Sequence, residues 1–213
     1  MTEPLPPVVA HTREHRLPDG ELRLLGAWAS VTGAMTRVEL GGQRVLVDCG
    51  VAQGEEARGF QFDRAALDVD AVLLTHGHND HVGSLPTLLE GGYRGPIYGT
   101  PATLHVVEAV LEDGLGLRGL GRRDAQRVVR ALGELWRPLS CDCREPLGPR
   151  LDVYYREAGH ILGSASVELV SAQSRVICSG DLGRPNSPLL RDYHSSWSDS
   201  RPVDLVLMEA TYG

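Results

Sequence analysis

Apolar and polar residues alternate in short runs through the first part of the chain, and glycines separate the runs. Three of these runs, at 22–29, 35–40 and 44–48, have the length and the composition of β-strands. We predict that they form an antiparallel meander, because only short connections join them. Residues 1–21 come before them and contain four prolines without any periodicity, which predicts an extended N-terminal arm.

The middle of the chain carries the helical patterns. An apolar run at 70–74 predicts a buried strand, and a second brief strand is predicted at 96–99. Helices are predicted at 85–89, 101–112 and 122–136. The stretch 113–121 has glycines at the spacing of a dinucleotide-binding loop, but it follows a helix instead of a strand. We therefore interpret it as a helix terminator and linker.

The helix predicted at 122–136 is amphipathic, with apolar residues at helical spacing along one face. Its other face carries Arg122, Arg123, Arg127 and Arg130. We interpret these arginines as a solvated face, with contact to phosphates as the alternative.

The second half of the chain returns to strand patterns. Further strands are predicted at 151–156, 166–170, 175–179 and 203–209. The order of strands, then helices, then strands again is typical of an α/β protein in which helices flank two stacked sheets.

Length, net charge and the absence of Lys limit which functions the chain can have. The 213 residues suffice for one domain, and the net charge of −7 provides no general attraction to nucleic acid, although two bound divalent metals would cancel four of those charges locally. All 21 basic residues are Arg, which excludes chemistry that needs a Lys, such as a Schiff base or a Walker A loop.

The four cysteines suggest reduced thiols, and neither a signal peptide nor an 18-residue apolar run is present. We therefore expect a cytoplasmic protein without a membrane span.

The most informative stretch is THGHNDHVG at 75–83, directly after the buried strand predicted at 70–74. Alternate residues of an extended loop point to one side, so His76 and His78 can bind one metal ion together. Asp80 and His81 follow where the loop turns, and they face a neighbouring position. Imidazole and carboxylate ligands suit zinc, with manganese or iron as competitors.

Two later strands end in further candidate ligands. His160 follows the strand predicted at 151–156, and Asp181 follows the strand predicted at 175–179. A single zinc ion takes four ligands, so six candidates fit two ions about 3.5–4 Å apart. We predict a dinuclear site whose ligands are His76, His78, Asp80, His81, His160 and Asp181. In this arrangement His76, His78 and His160 hold one ion, Asp80 and His81 hold the other, and Asp181 bridges them.

The histidine-rich loop resembles the signature of the metallo-β-lactamase superfamily. Five more motifs occur in the order found in its β-CASP branch: VTGA at 31–34, LVDCG at 46–50, GHILGSA at 159–165, SGDLGR at 179–184 and EATYG at 209–213. This resemblance covers about 22–213, and the residues after His160 are similar to those of the RNA-processing members. It implies an α/β fold, the αββα four-layer sandwich, with two metal ions.

The resemblance also implies a function and two further site residues. It implies hydrolysis of phosphodiester bonds in RNA, with Zn2+ as the metal and Mn2+ as the alternative. Asp48 would fix a metal ligand or the attacking water, or else would be only a strand-end turn residue. Glu209 would orient a histidine that lies further along in the family. A nuclease cap and a returning segment also follow in the family, so we expect 22–213 to be the N-terminal part of a metallo-domain.

Two other hypotheses stay open at this point. One is a small-molecule metallohydrolase that acts on a thioester, a lactone or a lactam. The other is a metal-binding subunit without activity. The sequence also leaves open RNA against DNA, endonuclease against exonuclease action, and assembly into a homo-oligomer.

Overall fold

The computed structural model describes residues 13–28, 30–197 and 201–210. Two β-sheets face one another. The first sheet has seven strands in sequence order, which are β1 (Glu14–Leu17), β2 (Gly20–Gly26), β3 (Met35–Leu40), β4 (Gln43–Val47), β5 (Ala71–Leu73), β6 (Ile97–Gly99) and β7 (Trp136–Pro138). Strands β1 to β4 are antiparallel, which confirms the predicted meander, and β4 to β7 are parallel.

The second sheet has five strands, which are β8 (Arg144–Gly148), β9 (Leu151–Glu157), β10 (Ala165–Ser171), β11 (Arg175–Cys178) and β12 (Leu205–Leu207). Their spatial order is β12-β11-β10-β9-β8. Neighbouring strands are antiparallel except β11 and β12, which are parallel. Because β9 and β11 run in the same direction on either side of β10, their carboxyl ends, each followed by a candidate ligand, lie at the same edge of this sheet.

The core between the sheets follows from the two-residue period of the strands. In β3, Val38 and Leu40 are fully buried and face the second sheet, where Val167 and Leu169 of β10 belong to the same apolar cluster. The turn from β3 to β4 consists of two glycines with φ values of +57° and +78°. Such values are favourable in a two-residue hairpin, because glycine lacks a Cβ.

The four α-helices of the described residues pack on the other face of the seven-stranded sheet. They are α1 (Asn79–Val82), α2 (Leu85–Glu90), α3 (Pro101–Leu117) and α4 (Arg122–Gly133), with short 3₁₀ helices at Gly54–Gly59 and Arg64–Leu67. Val72 of β5 and Leu74, which follows β5, belong to a second apolar cluster. The same cluster contains Leu104, Val107 and Leu111 of α3. The described residues therefore form the helix, sheet and sheet layers of the predicted sandwich.

The outer face of the second sheet carries a buried ionic network. Glu168 of β10 alternates with residues of the apolar core, so its carboxylate lies on the opposite side. It accepts hydrogen bonds from the guanidinium groups of Arg156 and Arg175. Both Glu168 and Arg175 are almost fully buried.

Three predictions about elements need correction. Residues 14–17 pair with β2 as strand β1, so the described end of the predicted arm belongs to the sheet. The stretch predicted to end a helix at 113 continues as α3, because Leu111 and Leu115 are buried and this packing outweighs the helix-weakening effect of Gly114 and Gly116. The helix predicted to reach Trp136 ends at Gly133, and that tryptophan starts β7.

Some predictions concern residues outside the ranges that the structure describes. They are most of the extended arm at 1–12, residue 29 at the end of the first predicted strand, and 211–213 of the EATYG motif. Within the described ranges, no helix combines the length and the apolar character needed to cross a membrane.

Candidate metal centre

The loop after β5 changes from extended backbone to a helical turn. His76 is fully buried, and His78 is an extended residue that directly precedes α1. His76 Nε2 and His78 Nδ1 lie 3.1 Å apart. The predicted alternation therefore brings the two imidazoles together, while Asp80 and His81 continue into α1.

Two candidate ligands that follow other strands complete a four-residue group. His160 Nε2 lies 3.2 Å from His78 Nδ1, and Asp181 Oδ2 lies 3.6 Å from His160 Nε2 and 3.9 Å from His76 Nε2. One ligand atom from each of His76, His78, His160 and Asp181 can be chosen so that all lie within 4.8 Å of one another. Ligands about 2.0–2.1 Å from a tetrahedral ion lie about 3.4 Å apart, so these side chains fit one metal ion.

The second oxygen of Asp181 faces a different imidazole. Oδ1 of Asp181 lies 3.3 Å from His81 Nε2, whereas Oδ2 faces the four-residue group. The two oxygens of one carboxylate thus face different imidazoles, Oδ2 those of His76 and His160 and Oδ1 that of His81. Asp80 is half-buried at the start of α1, and its charge acts on the neighbouring His78. The carboxylate of Asp80 is not part of the four-residue group.

Asp48 holds the buried side of the loop. It follows β4 with a φ of +59°, a value that few residues other than glycine adopt. Its carboxylate accepts hydrogen bonds from the Thr75 amide and hydroxyl, each at 2.8 Å, and it lies 2.7 Å from His81 Nδ1. These contacts extend beyond a strand-end turn, because they join the end of β4 to Thr75 and to His81 in the 75–83 loop, which we call the metal loop.

The loop that carries His160 has its own anchors. The Ser164 hydroxyl accepts hydrogen bonds from the amides of His160 and Ile161. The Gly163 carbonyl accepts hydrogen bonds from the hydroxyls of Thr100 and Thr103, both at 2.8 Å. Thr100 is also the N-cap of α3. The sequence analysis missed this pair, although a Thr before Pro101 at a helix start was visible.

Glu209 lies beside the loop of Asp181. Its carboxylate accepts a hydrogen bond from the Leu182 amide at 2.9 Å, and its own amide donates to the Ser179 hydroxyl. A cavity of about 220 Å³ is lined by Glu209, Asp181, His81 and Asp48 together with apolar residues of β3 and β12. The cavity opens on the His81 side of the Asp181 carboxylate.

Burial and neighbouring charges set the protonation of the centre. Burial lowers the pKa of His76, and the neighbouring His81 lowers it further; burial also lowers the pKa of His78. Burial acts on His81 in the same direction, but the carboxylates of Asp48 and Asp181 outweigh it and raise its pKa to about 10. Burial opposes ionisation of Asp181, yet His81 holds the pKa of that carboxyl below its ordinary value. Neutral His76 and His78 are ready to coordinate a metal.

Known proteins with similar sequences include metallo-beta-lactamase superfamily members and proteins named for roles in RNA metabolism. Residues 31–129 match the family model described as the Metallo-beta-lactamase superfamily. The chain is 45% identical over 194 residues to Ribonuclease TTHA0252 of Thermus thermophilus, covering 88% of this chain and 43% of that protein. It is 33% identical over 203 residues to Transcription termination factor FttA of Cenarchaeum symbiosum, covering 90% and 31%. It is 29% identical over 209 residues to Integrator complex subunit 11 of Danio rerio, covering 92% and 34%.

Solved structures agree on the fold. The metallo-beta-lactamase fold protein YhfI from Bacillus subtilis superposes with a TM-score of 0.50 and 18% identity, over 78% of this chain and 63% of that one. A protein of unknown function from Enterococcus faecalis V583 superposes with a TM-score of 0.55 and 14% identity, over 76% and 43%.

The match over 31–129 identifies a metallo-beta-lactamase domain in the chain, and the predicted resemblance to the β-CASP branch is confirmed. The predicted α/β fold is confirmed as well, and the His and Asp cluster supports a metal cofactor. The chain spans less than half the length of these curated relatives.

Proposed function

We propose that this protein is a metal-dependent hydrolase that cleaves phosphodiester bonds in RNA at a dinuclear centre. The observation that carries the proposal is the position of Asp181, whose Oδ2 faces the imidazoles of His76 and His160 while its Oδ1 faces the imidazole of His81. A carboxylate in that position is suited to bridge two ions, and paired ions are typical of enzymes that hydrolyse phosphodiesters.

The first ion is assigned to His76, His78, His160 and Asp181, whose ligand atoms converge. The second is assigned to His81, Asp80 and the other oxygen of Asp181. Zinc is the proposed metal, with manganese as the alternative, because neutral imidazole and carboxylate suit both. When bound, the ions would supply an activated water at neutral pH and positive charge for the phosphoryl oxygens.

The remaining site residues act through the ligands. Asp48 fixes the ring of His81 through Nδ1, which leaves Nε2 directed at Asp181. Glu209 holds the Leu182 amide and thereby the loop of Asp181. For both residues a positioning role is proposed in place of proton transfer to the substrate.

RNA is proposed as the substrate on two grounds. The motifs around His160 and Asp181 resemble those of the RNA-processing side of the branch, and the relative with 45% identity is named a ribonuclease.

The cytoplasm is the proposed location, because the four cysteines are free thiols, as is usual in a reducing compartment.

The direct test compares hydrolysis of labelled single-stranded RNA, the matching DNA, and a panel containing a thioester, a lactone and a lactam, with zinc or manganese supplied. We expect RNA cleavage that His76→Ala abolishes and that His105→Ala, a change at an exposed histidine of α3, leaves intact. Hydrolysis confined to the small-molecule panel would replace the nuclease assignment by a small-molecule hydrolase. Inertness of the metal-loaded protein toward every substrate would favour the non-catalytic subunit.

A further inference from the structure

The basic residues of the chain are unevenly distributed. The stretch 117–130 holds five of the 21 arginines and one of the 28 acidic residues, so it carries +4 while the rest of the chain carries −11. We call Arg118, Arg122, Arg123, Arg127 and Arg130 the arginine face. Such a local reversal of charge attracts a polyanion to one place on an otherwise acidic protein.

The arginine face is open to solvent. Every residue from 116 to 124 is exposed, at the tip of the hairpin that α3 and α4 form. The side chains of Arg122 and Arg127 are 84% and 80% exposed. Their ion pairs with Glu112 and Asp124 are 3.6 and 3.2 Å long and lie at the surface, where such pairs contribute little free energy. Their guanidinium groups are therefore available to a ligand.

The arginine face begins beside the metal loop. Arg118 donates a hydrogen bond to the carbonyl of Gly83, the last residue of the 75–83 loop, at 3.3 Å. One turn earlier in α3, Asn79 Oδ1 lies 3.8 Å from the position that a Cβ on Gly114 would occupy. Because Asn79 directly precedes Asp80, the hairpin borders the loop next to the proposed second ion.

We propose that the arginine face binds the phosphate backbone of the RNA strand that enters the metal centre. The proposal rests on the proposed ribonuclease function and adds a substrate-binding surface to it. Guanidinium groups match phosphate oxygens with two parallel hydrogen bonds. Arg118 retains further N–H donors beyond the one that holds Gly83, since a guanidinium has five.

RNA fits this face better than an acidic protein does, because of the face's position. A strand bound along α4, which is 12 residues and about 18 Å long, would reach the hairpin tip at its Arg122 end, where Arg118 contacts Gly83 of the 75–83 loop. Phosphate contacts carry no sequence information. The arginine face should therefore raise affinity for any sequence and make binding depend on salt.

The test uses the triple variant Arg122→Gln/Arg123→Gln/Arg127→Gln. The matched control is Arg16→Gln/Arg58→Gln/Arg64→Gln, which removes the same charge from exposed arginines elsewhere. The probes are a fluorescein-labelled single-stranded RNA, whose binding is followed by anisotropy, and bis(4-nitrophenyl) phosphate, a small diester without neighbouring phosphates. Circular dichroism verifies that both variants are folded.

For the face variant, we expect the slope of log Kd for RNA against log salt to fall by about 2, from three lost phosphate contacts at about 0.7 each. KM for RNA should rise by about tenfold or more at physiological salt, while the rate on the small diester should stay unchanged. The control variant should match the wild type in each measurement.

Three results would overturn the inference. One is an unchanged RNA Kd in the face variant, and another is an equal loss of binding in the control variant. The third is binding of poly-glutamate as tight as that of RNA with the same loss in the face variant, which would assign the surface to an acidic protein. If the wild type hydrolyses neither substrate, the ribonuclease function fails, while the anisotropy measurements still decide whether the face binds RNA.

Discussion

The carboxylate of Asp48 meets the ring of His81 at 2.7 Å, although 33 residues separate the two in the chain. This contact joins the end of β4 to the last turn of α1, and it faces the side of the imidazole opposite to Asp181. Without a bound metal, His81 is a charged imidazolium at neutral pH, with both ring nitrogens protonated, because Asp48 and Asp181 outweigh burial and raise its pKa to about 10. A metal must displace that proton, since only a neutral imidazole nitrogen coordinates.

The first prediction is therefore that metal binding releases about one proton from His81 at neutral pH. Affinity for the second ion should rise with pH up to about 10, the pKa of metal-free His81. Asp48→Asn should reduce the release, because it lowers the pKa of that histidine. The measurement is the absorbance change of a pH indicator in weak buffer as zinc is added. Asp68→Asn, at a surface ion pair, serves as the control; identical release from Asp48→Asn and the wild type would contradict the prediction.

The second prediction concerns the stability of the metal-free protein. A pKa raised in the folded state means that folding favours the protonated form of His81. This contribution is complete below the ordinary pKa of 6.5 and is lost as pH rises through about 10. Urea unfolding of chelator-treated protein should therefore show a smaller free energy of unfolding at the alkaline end of that window. The decrease should be shallower in Asp48→Asn; equal slopes would show that the pair does not govern the pH dependence.

The metal loop was predictable because its information is local. An apolar run ends at Leu74, and the ligands follow within a few residues, so spacing alone indicates that His76 and His78 act together. His160 and Asp181 were also recognisable as candidate ligands, since each follows a strand, and the structure brings both beside His76 and His78. How Asp181 divides its oxygens depends on the packing of two sheets, and no local pattern records it.

Elements that depend on a distant partner were harder to predict. Strands β7 and β8 are short and partly exposed, and they owe their conformation to pairing with β6 and β9. The length of α3 was underestimated because Gly114 and Gly116 disfavour helix locally, whereas burial of Leu115 is a tertiary effect. Thr103 showed nothing unusual in sequence, because its partner Gly163 lies 60 residues away.

The third prediction separates the bridging carboxylate from the terminal one. Asp181→Ala should lower the content of both ions, because Oδ2 faces the four-residue group and Oδ1 faces His81. Asp80→Ala should mainly empty the second position, since its carboxylate lies outside the four-residue group. The measurement is metal content after dialysis against a graded series of free zinc concentrations. Equal loss from the two variants would remove the bridging assignment.

The fourth prediction concerns the two threonine hydroxyls on the Gly163 carbonyl. Thr103 is fully buried, so Thr103→Val keeps the shape of the side chain and removes the hydroxyl that donates to the Gly163 carbonyl and contacts the Thr100 hydroxyl. We expect a cost of about 1 kcal/mol in the free energy of unfolding. The Gly163 carbonyl retains Thr100, but the loop that carries His160 is held less firmly. Groups that orient metal ligands typically contribute 10–100-fold in affinity, and we expect about tenfold weaker zinc binding at the first position.

The control for this prediction is Thr103→Ser, which restores the hydroxyl and lacks only the methyl group. If the hydrogen bond positions His160, Thr103→Ser should recover zinc affinity even where packing loss leaves the protein less stable than the wild type. Zinc affinity is measured by competition with a chromophoric chelator, and stability by urea unfolding. A Thr103→Ser variant that binds zinc as weakly as Thr103→Val would show that packing of the Thr103 methyl group, and not the hydrogen bond, holds the His160 loop.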